Sequence, residues 1–399
     1  MKKDWTYKKL GEVCEVFCDG DWIESKDQSE DGIRLIQTGN VGNGVYRDKA
    51  DKSKYISEET FKQLNCTEIF PGDILVSRLP DPIGRACIIP ETGSRMITAV
   101  DCSIIRLKEC INSNLFVYYT RSDSYSKNID KFTTGTTRKR ISRSNLALVS
   151  VPIPPKDEQQ QIVAELDLLS DVIEKQKAQI EELNKLSQSI FYDMFGDPVT
   201  NEKGWEVKNL KDIAVKIGSG ATPRGGNQSY KDEGISLIRS MNVHNNDFVY
   251  DDLAFIDDEQ ATQLNNVIVE SNDVLLNITG ASVARCCIVP DDVLPARVNQ
   301  HVCIIRPNTD LANSIYLNRF FTSIEEQSVL LLLSRSNAAT REALPKNLLE
   351  NCRIVLPPLS LQQEFAAKIE AIEAMKAKVR QSLKDSETLF NSRMDYYFN

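Results

Sequence analysis

The second half of this 399-residue chain repeats the first at an offset of about 200 residues, and that duplication limits the possible folds more than any other feature. Trp5, Lys8 and Leu10 recur as Trp205, Lys208 and Leu210. Asp73-Ile-Leu-Val76 recurs as Asp273-Val-Leu-Leu276, Arg85-Ala-Cys-Ile-Ile-Pro90 as Arg285-Cys-Cys-Ile-Val-Pro290, and Ile104-Ile-Arg106 as Ile304-Ile-Arg306. Elsewhere the register slips slightly: Gly32 matches Gly234, Asn40 matches Asn242, and Pro154-Pro155 with Gln159-Gln160 match Pro357-Pro358 with Gln362-Gln363. Slips of this size are loop insertions in a shared fold. The period is far longer than that of solenoid repeats, so two whole domains in series are expected.

Each copy has two parts. Residues 1–155 and 201–356 carry short β-rich runs such as Gly32-Ile-Arg-Leu-Ile36 and Ala86-Cys-Ile-Ile89, separated by Gly, Asn, Asp and Pro turns, with helical patches such as Asn114 to Ser122. This pattern predicts an α+β class. Residues 156–200 and 357–399 lead into stretches without internal Gly or Pro, rich in Glu, Lys, Gln, Leu and Ala, as long helices require. In the first, Ile162, Leu166, Leu169, Ile173, Ile180, Leu183, Ile190 and Met194 follow alternating steps of four and three, with Gln176 and Ser187 in the skipped places. The second offers Phe365, Ile369, Ile372, Val379, Leu383, Phe390 and Tyr397, interrupted by Lys376, Ser386 and Arg393. Two antiparallel helices in a coiled coil, each roughly 57 Å long at about 1.5 Å per residue, are predicted. The plainer alternative is an amphipathic helix packed on its own domain.

Composition excludes several classes. The ten cysteines show no paired CxxC spacing and have only His244 and His301 for company, which argues against zinc and for reduced thiols. MKKDWTYKKL has no apolar signal core and no run is long enough to span a membrane, so a cytoplasmic protein without membrane contact is expected. No phosphate loop, GxGxxG turn or HExxH pair occurs, and unmatched histidines exclude a repeated His-based mechanism. No catalytic residue, metal or cofactor is predicted. The net charge of −9 disfavours nucleic acid for the chain as a whole, yet Lys131 to Lys156 contains six basic residues and no acidic one.

The order of these motifs resembles the specificity subunits of type I restriction-modification systems. Each domain opens with Trp-x-x-x-x-Leu and closes with Ile153-Pro-Pro or Leu356-Pro-Pro, a Gln-Gln pair and a long helix, and the junction reads Phe195-Gly-Asp-Pro198 then Lys203-Gly-Trp205. The resemblance covers essentially the whole chain and is to the full-length form with two target recognition domains. It implies that each domain reads one half of a bipartite double-stranded DNA site, that the helices set the spacing and dock two methyltransferase (modification) subunits, and that the subunit itself performs no chemistry. Restriction (translocase/nuclease) subunits are a further partner it allows. The rival classes are a coiled-coil protein adaptor and a self-contained restriction or modification enzyme.

Candidate DNA contacts follow from local chemistry. Thr136, Thr137, Arg138, Lys139, Arg140 and Arg143 combine hydroxyls and positive charge beside Gly135, suiting phosphates and base edges; a solvated basic loop is the alternative. Arg335, Asn337 and Arg341 occupy the corresponding stretch of the second domain. Lys26, and Thr222 with Arg224, lie in matching loops after the first strand of each domain, where ordinary turn chemistry is an equal alternative. Arg78 precedes Arg85, and the retained pair Arg85 and Arg285 suits backbone contact or structure equally. Trp5, Trp205 and both histidines are expected to be structural.

Overall fold

The computed structural model describes residues 4–135, 139–223, 225–336 and 342–399. It divides into two compact units, Met1–Lys177 with Gln381–Asn399, and Ala178–Arg380.

In the first unit a four-stranded antiparallel sheet runs in the order Cys14–Asp19, Cys102–Leu107, Ile74–Ser77, Ala86–Ile88. A second sheet has the order Lys54–Ile56, Ile33–Ile36, Met96–Thr98, Glu68–Ile69, with its two central strands parallel. The run Ile74–Ser77 is buried throughout because it is covered on both faces. Successive side chains point to opposite sides of a strand. Ile74, Val76 and Ile105 therefore join a core built with the helix Ser113–Tyr119, while Leu75, Cys87 and Ile104 join Ile36, Ile69 and Met96 of the second sheet.

The second unit repeats this order. Ala214–Ser219, Val302–Pro307, Val274–Asn277 and Cys286–Ile288 form one sheet, and Ala254–Ile256, Ile235–Ile238, Ala296–Val298 and Ile268–Val269 the other. The alternation is kept as well: Val274, Leu276 and Ile305 face the helices, and Leu275, Cys287 and Ile304 face the second sheet. The α+β expectation is met in both units.

Charged scaffold residues recur with the strands. Arg106 forms a bidentate pair with Asp73 at 2.6 and 2.9 Å, and Arg306 with Asp273 at 2.7 and 2.8 Å. Each carboxylate also accepts a turn N–H, from Phe70 and Glu270 respectively, so the buried charge is compensated.

Opening and closing segments pair: Thr6–Lys9 runs antiparallel to Ser150–Ile153, and Glu206–Asn209 to Arg353–Leu356. A 40-residue helix follows each closing strand, Lys156–Phe195 and Leu359–Phe398, starting directly after Pro155 and Pro358. The first glutamine of each Gln-Gln pair is buried. Gln159 donates to the Cys110 and Pro154 carbonyls and accepts from Asn112 N–H; Gln362 does the same with Leu311, Pro357 and Asn313. Trp5 lies in the first core and donates to Glu158, and the Trp205 indole donates to the Phe195 carbonyl, so both anchor packing.

Each long helix contributes to both units. In the first, Arg393 bonds Glu165 and Gln176 donates to Ser382 at 2.8 Å, so rising numbers on one helix meet falling numbers on the other and the pairing is antiparallel. In the second, Phe191 and Phe195 pack against Phe365, with Phe195 and Phe365 ring centroids 5.1 Å apart. The helices also join the domain cores. Ile162 and Leu166 are buried with Leu115, Phe116 and Val151, and Phe365 and Ile369 with Tyr316 and Phe320. The two alternatives for these helices are thus combined: they pair with each other and pack on their domains.

Candidate nucleic-acid interface

At one end of the first sheet of unit 1, Cys14–Asp19 and Ile74–Ser77 end while Ala86–Ile88 and Cys102–Leu107 begin, and backbone bonds gather the adjoining loops there. Gly20 N–H donates to the Cys102 carbonyl at 2.9 Å, Arg78 N–H to Asp101 at 2.9 Å, and Ile141 N–H to Arg78 at 3.2 Å. The loop carrying the basic cluster is closed at its base by reciprocal Thr134 and Arg140 bonds of 2.9 Å. Unit 2 repeats two of these bonds, Ile278 N–H to His301 and Leu344 N–H to Ile278, while Gly220 N–H donates to Asn299. A Cβ at Gly20 would lie 2.4 Å from the Thr98 and Ala99 carbonyl oxygens, and one at Gly220 only 1.8 Å from that of Val298, so glycine is required by close approach.

The structure sorts the expected contact residues. Lys139 and Arg140 are exposed. Arg143, half exposed, lies 3.9 Å from Asp19, whose other oxygen is 3.5 Å from Arg78. Lys26 is exposed and paired with Glu24 at 2.8 Å, next to Trp22, which is 68% exposed. In unit 2, Thr222 is exposed and its hydroxyl bonds Gln300, while Arg335 is exposed and paired with Glu342 at 2.9 Å. Thr136, Thr137, Arg138, Arg224, Asn337 and Arg341 lie outside the described residues.

Burial corrects the expectation for Arg78 and selects the structural reading of Arg85. Arg78 is buried and donates to the Val100 carbonyl, so it braces the loops from beneath. Arg85 is buried too, with bonds to the carbonyls of Val41, Leu79, Pro82 and Thr38 at 2.7–3.0 Å. Burial pulls its pKa down, and the guanidinium fork is committed to holding backbone together. Arg285, half-buried, lies 3.5 Å from His244 instead. Sequence reasoning passed over Gln300 and Thr279 and took His301 as structural; the three are joined by side-chain bonds at the loop end of unit 2. The available signal was positional: His301 stands 200 residues after Asp101, in the same frame of backbone bonds.

Eight of the ten free cysteines are buried, and desolvation raises thiols such as Cys87 and Cys303 to about 12, which keeps them protonated and unreactive. Among the described residues no group of three metal-binding side chains assembles, and no helix is long and apolar enough to cross a membrane.

Comparison with known proteins places this geometry. The type I restriction modification DNA specificity domain matches residues 2–185 and again 202–385. The type I restriction enzyme MjaIX specificity subunit of Methanocaldococcus jannaschii is 26% identical over 402 residues, covering 93% of this chain and 87% of its own length. The EcoKI specificity subunit of Escherichia coli K12 is 20% identical over 395 residues, covering 91% and 80%. Among solved structures, the S subunit of a type I restriction-modification system from M. genitalium superposes with a TM-score of 0.60 at 14% identity over 99% of this chain and 97% of that one. A structure described in terms of type I R-M complex assembly and conformational transition gives 0.57 at 18% identity, covering 100% and 98%.

Proposed function

The chain belongs to the type I restriction modification DNA specificity family, and from that membership we propose that it is the DNA-reading subunit of a type I restriction-modification complex. Each unit reads one half of a bipartite double-stranded site. The observation that carries this reading is the repeated frame of backbone bonds that presents different side chains at the same sheet end: Arg78 and Asp101 in one unit, Ile278 and His301 in the other. A common frame with altered loops is what two unlike half-sites require, since backbone contacts position a protein and side chains at base edges specify sequence.

The remaining parts take roles that fit their chemistry. Lys139, Arg140 and Arg143, with Arg138 between Thr137 and Lys139, supply phosphate contacts. The helices continue from one unit into the other, and their length sets the unread gap. Each unit contains a pairing of the two helices, so the chain offers two similar surfaces to two methyltransferase subunits, with restriction subunits joining through the assembled complex. The chain performs no chemistry itself and acts in the cytoplasm, away from membranes.

The test is binding by the full chain with its modification subunits. Protection of a bipartite site is expected, with weaker binding by Arg138→Ala combined with Lys139→Ala at every sequence. Unchanged affinity of that variant at low salt removes the loop from the interface. Absence of any sequence preference in the complex favours the adaptor reading, and methyl transfer or cleavage by this chain alone establishes the enzyme reading.

A further inference from the structure

At the loop end of unit 2, four side chains from three loops form one hydrogen-bonded chain. Thr279 Oγ1 lies 2.5 Å from His301 Nδ1, His301 Nε2 lies 3.1 Å from Gln300 Nε2, and Gln300 Oε1 meets the Thr222 hydroxyl. The loops follow the strands Ala214–Ser219 and Val274–Asn277 and precede Val302–Pro307, so the sheet holds all three in place. The His301 backbone is pinned as well, its N–H donating to Asn299 Oδ1 at 3.0 Å and its carbonyl accepting from Ile278.

Donor and acceptor roles follow from this connectivity. An amide nitrogen only donates, so Gln300 Nε2 donates to His301 Nε2, and the imidazole proton sits on Nδ1 and is donated to Thr279. The Thr222 hydroxyl donates to Gln300 Oε1. A primary amide has two N–H bonds and two oxygen lone pairs, and among the described residues one of each is used. Gln300 is exposed. Its amide is therefore held from both ends with one donor and one acceptor remaining, the pattern that complements N7 and the N6 amino group of adenine in the major groove.

We propose that Gln300 reads an adenine in the half-site of the second unit, and that His301, Thr279 and Thr222 are positioning residues that hold its amide for that contact. The proposal rests on the reading that this loop end meets DNA. Fixing the amide beforehand removes rotamer entropy that a free glutamine would lose on binding. Unit 1 lacks the device, because Asp101 stands where His301 does and Val100 where Gln300 does.

The test uses the full chain with its modification subunits and a randomised duplex library. Gln300→Ala is expected to lose about tenfold of base discrimination at one position of one half-site, leaving the other half-site unchanged. His301→Ala is expected to weaken discrimination at that same position without lowering the melting temperature. Replacing adenine there by 7-deazaadenine, which lacks the N7 acceptor, reproduces the loss in the wild type and adds nothing in Gln300→Ala. An intact base profile in Gln300→Ala, with or without a uniform fall in affinity, overturns this inference while leaving the DNA-reading function standing. A wild-type complex without any sequence preference overturns both.

Discussion

The two units agree at their buried Asp–Arg pairs and helix-start amides, and differ at the loop ends and at one buried helix position. Asp73 with Arg106 and Asp273 with Arg306 keep the same bidentate geometry, Gln159 and Gln362 tie the same three backbone groups, and Asn112 and Asn313 cap equivalent helices. Arg78 faces Ile278 across the duplication, Asp101 faces His301, and Tyr125 faces Glu326. The last two follow the same N-capping serine, with Tyr125 N–H on Ser122 and Glu326 N–H on Ser323. Divergence thus spared the Asp–Arg pairs and the helix-start amides, and it changed Arg78 and Tyr125, whose backbone frame survives substitution.

The shared scaffold makes the largest prediction. Asp73→Ala and Asp273→Ala each remove the bidentate partner of an arginine and the acceptor of a turn N–H, with Glu270 remaining beside Arg306, and each should destabilise its own unit by about 3 kcal/mol or more, measured by denaturant unfolding. A large loss for only one of them would break the claimed equivalence.

Glu326 supplies the next contrast. It is buried beside Cys352 and Ser323 with Arg353 as the nearby charge, and desolvation raises its carboxyl from 4.5 to about 7. A carboxyl that holds its proton more tightly when folded contributes fully below its unfolded pKa, and that contribution is lost as pH rises through the folded value. Unit 2 should therefore lose about 2–3 kcal/mol between pH about 4.5 and about 7. Glu326→Gln should flatten the profile over that window. Unit 1 has Tyr125 at this place, its hydroxyl on the Gly84 carbonyl at 3.0 Å, and should show no matching loss.

Smaller effects sharpen the interface. Lys139→Ala with Arg140→Ala should reduce the slope of log affinity against log salt by about two, equally for all sequences. A changed base profile would move these residues from phosphate to base contact. Lys26→Ala should lower that slope by at most about one and leave the melting temperature unchanged, because the Lys26–Glu24 pair is exposed.

Much of the fold was legible in the sequence, for reasons visible in single elements. Apolar runs such as Ile74–Val76 stand out because both strand faces are covered, and the helical seam is long because it serves both helix pairing and domain cores. The interface was harder to read. Arg78 looked like a free cation, and Arg85 stood open between contact and structure, because nothing local marks the distant carbonyls, Val100 and Val41 among them, that consume their donors. His301 looked structural because its partners, Thr279 and Gln300, belong to different loops that only the sheet brings together.

The central claim is that one scaffold, used twice, reads two different sequences. Selection of binding sites from a randomised duplex library by the full chain with its modification subunits tests it most directly. Two short, unlike sequence elements separated by an unread gap of constant length are expected. A single contiguous element, two identical elements or no enrichment would contradict it.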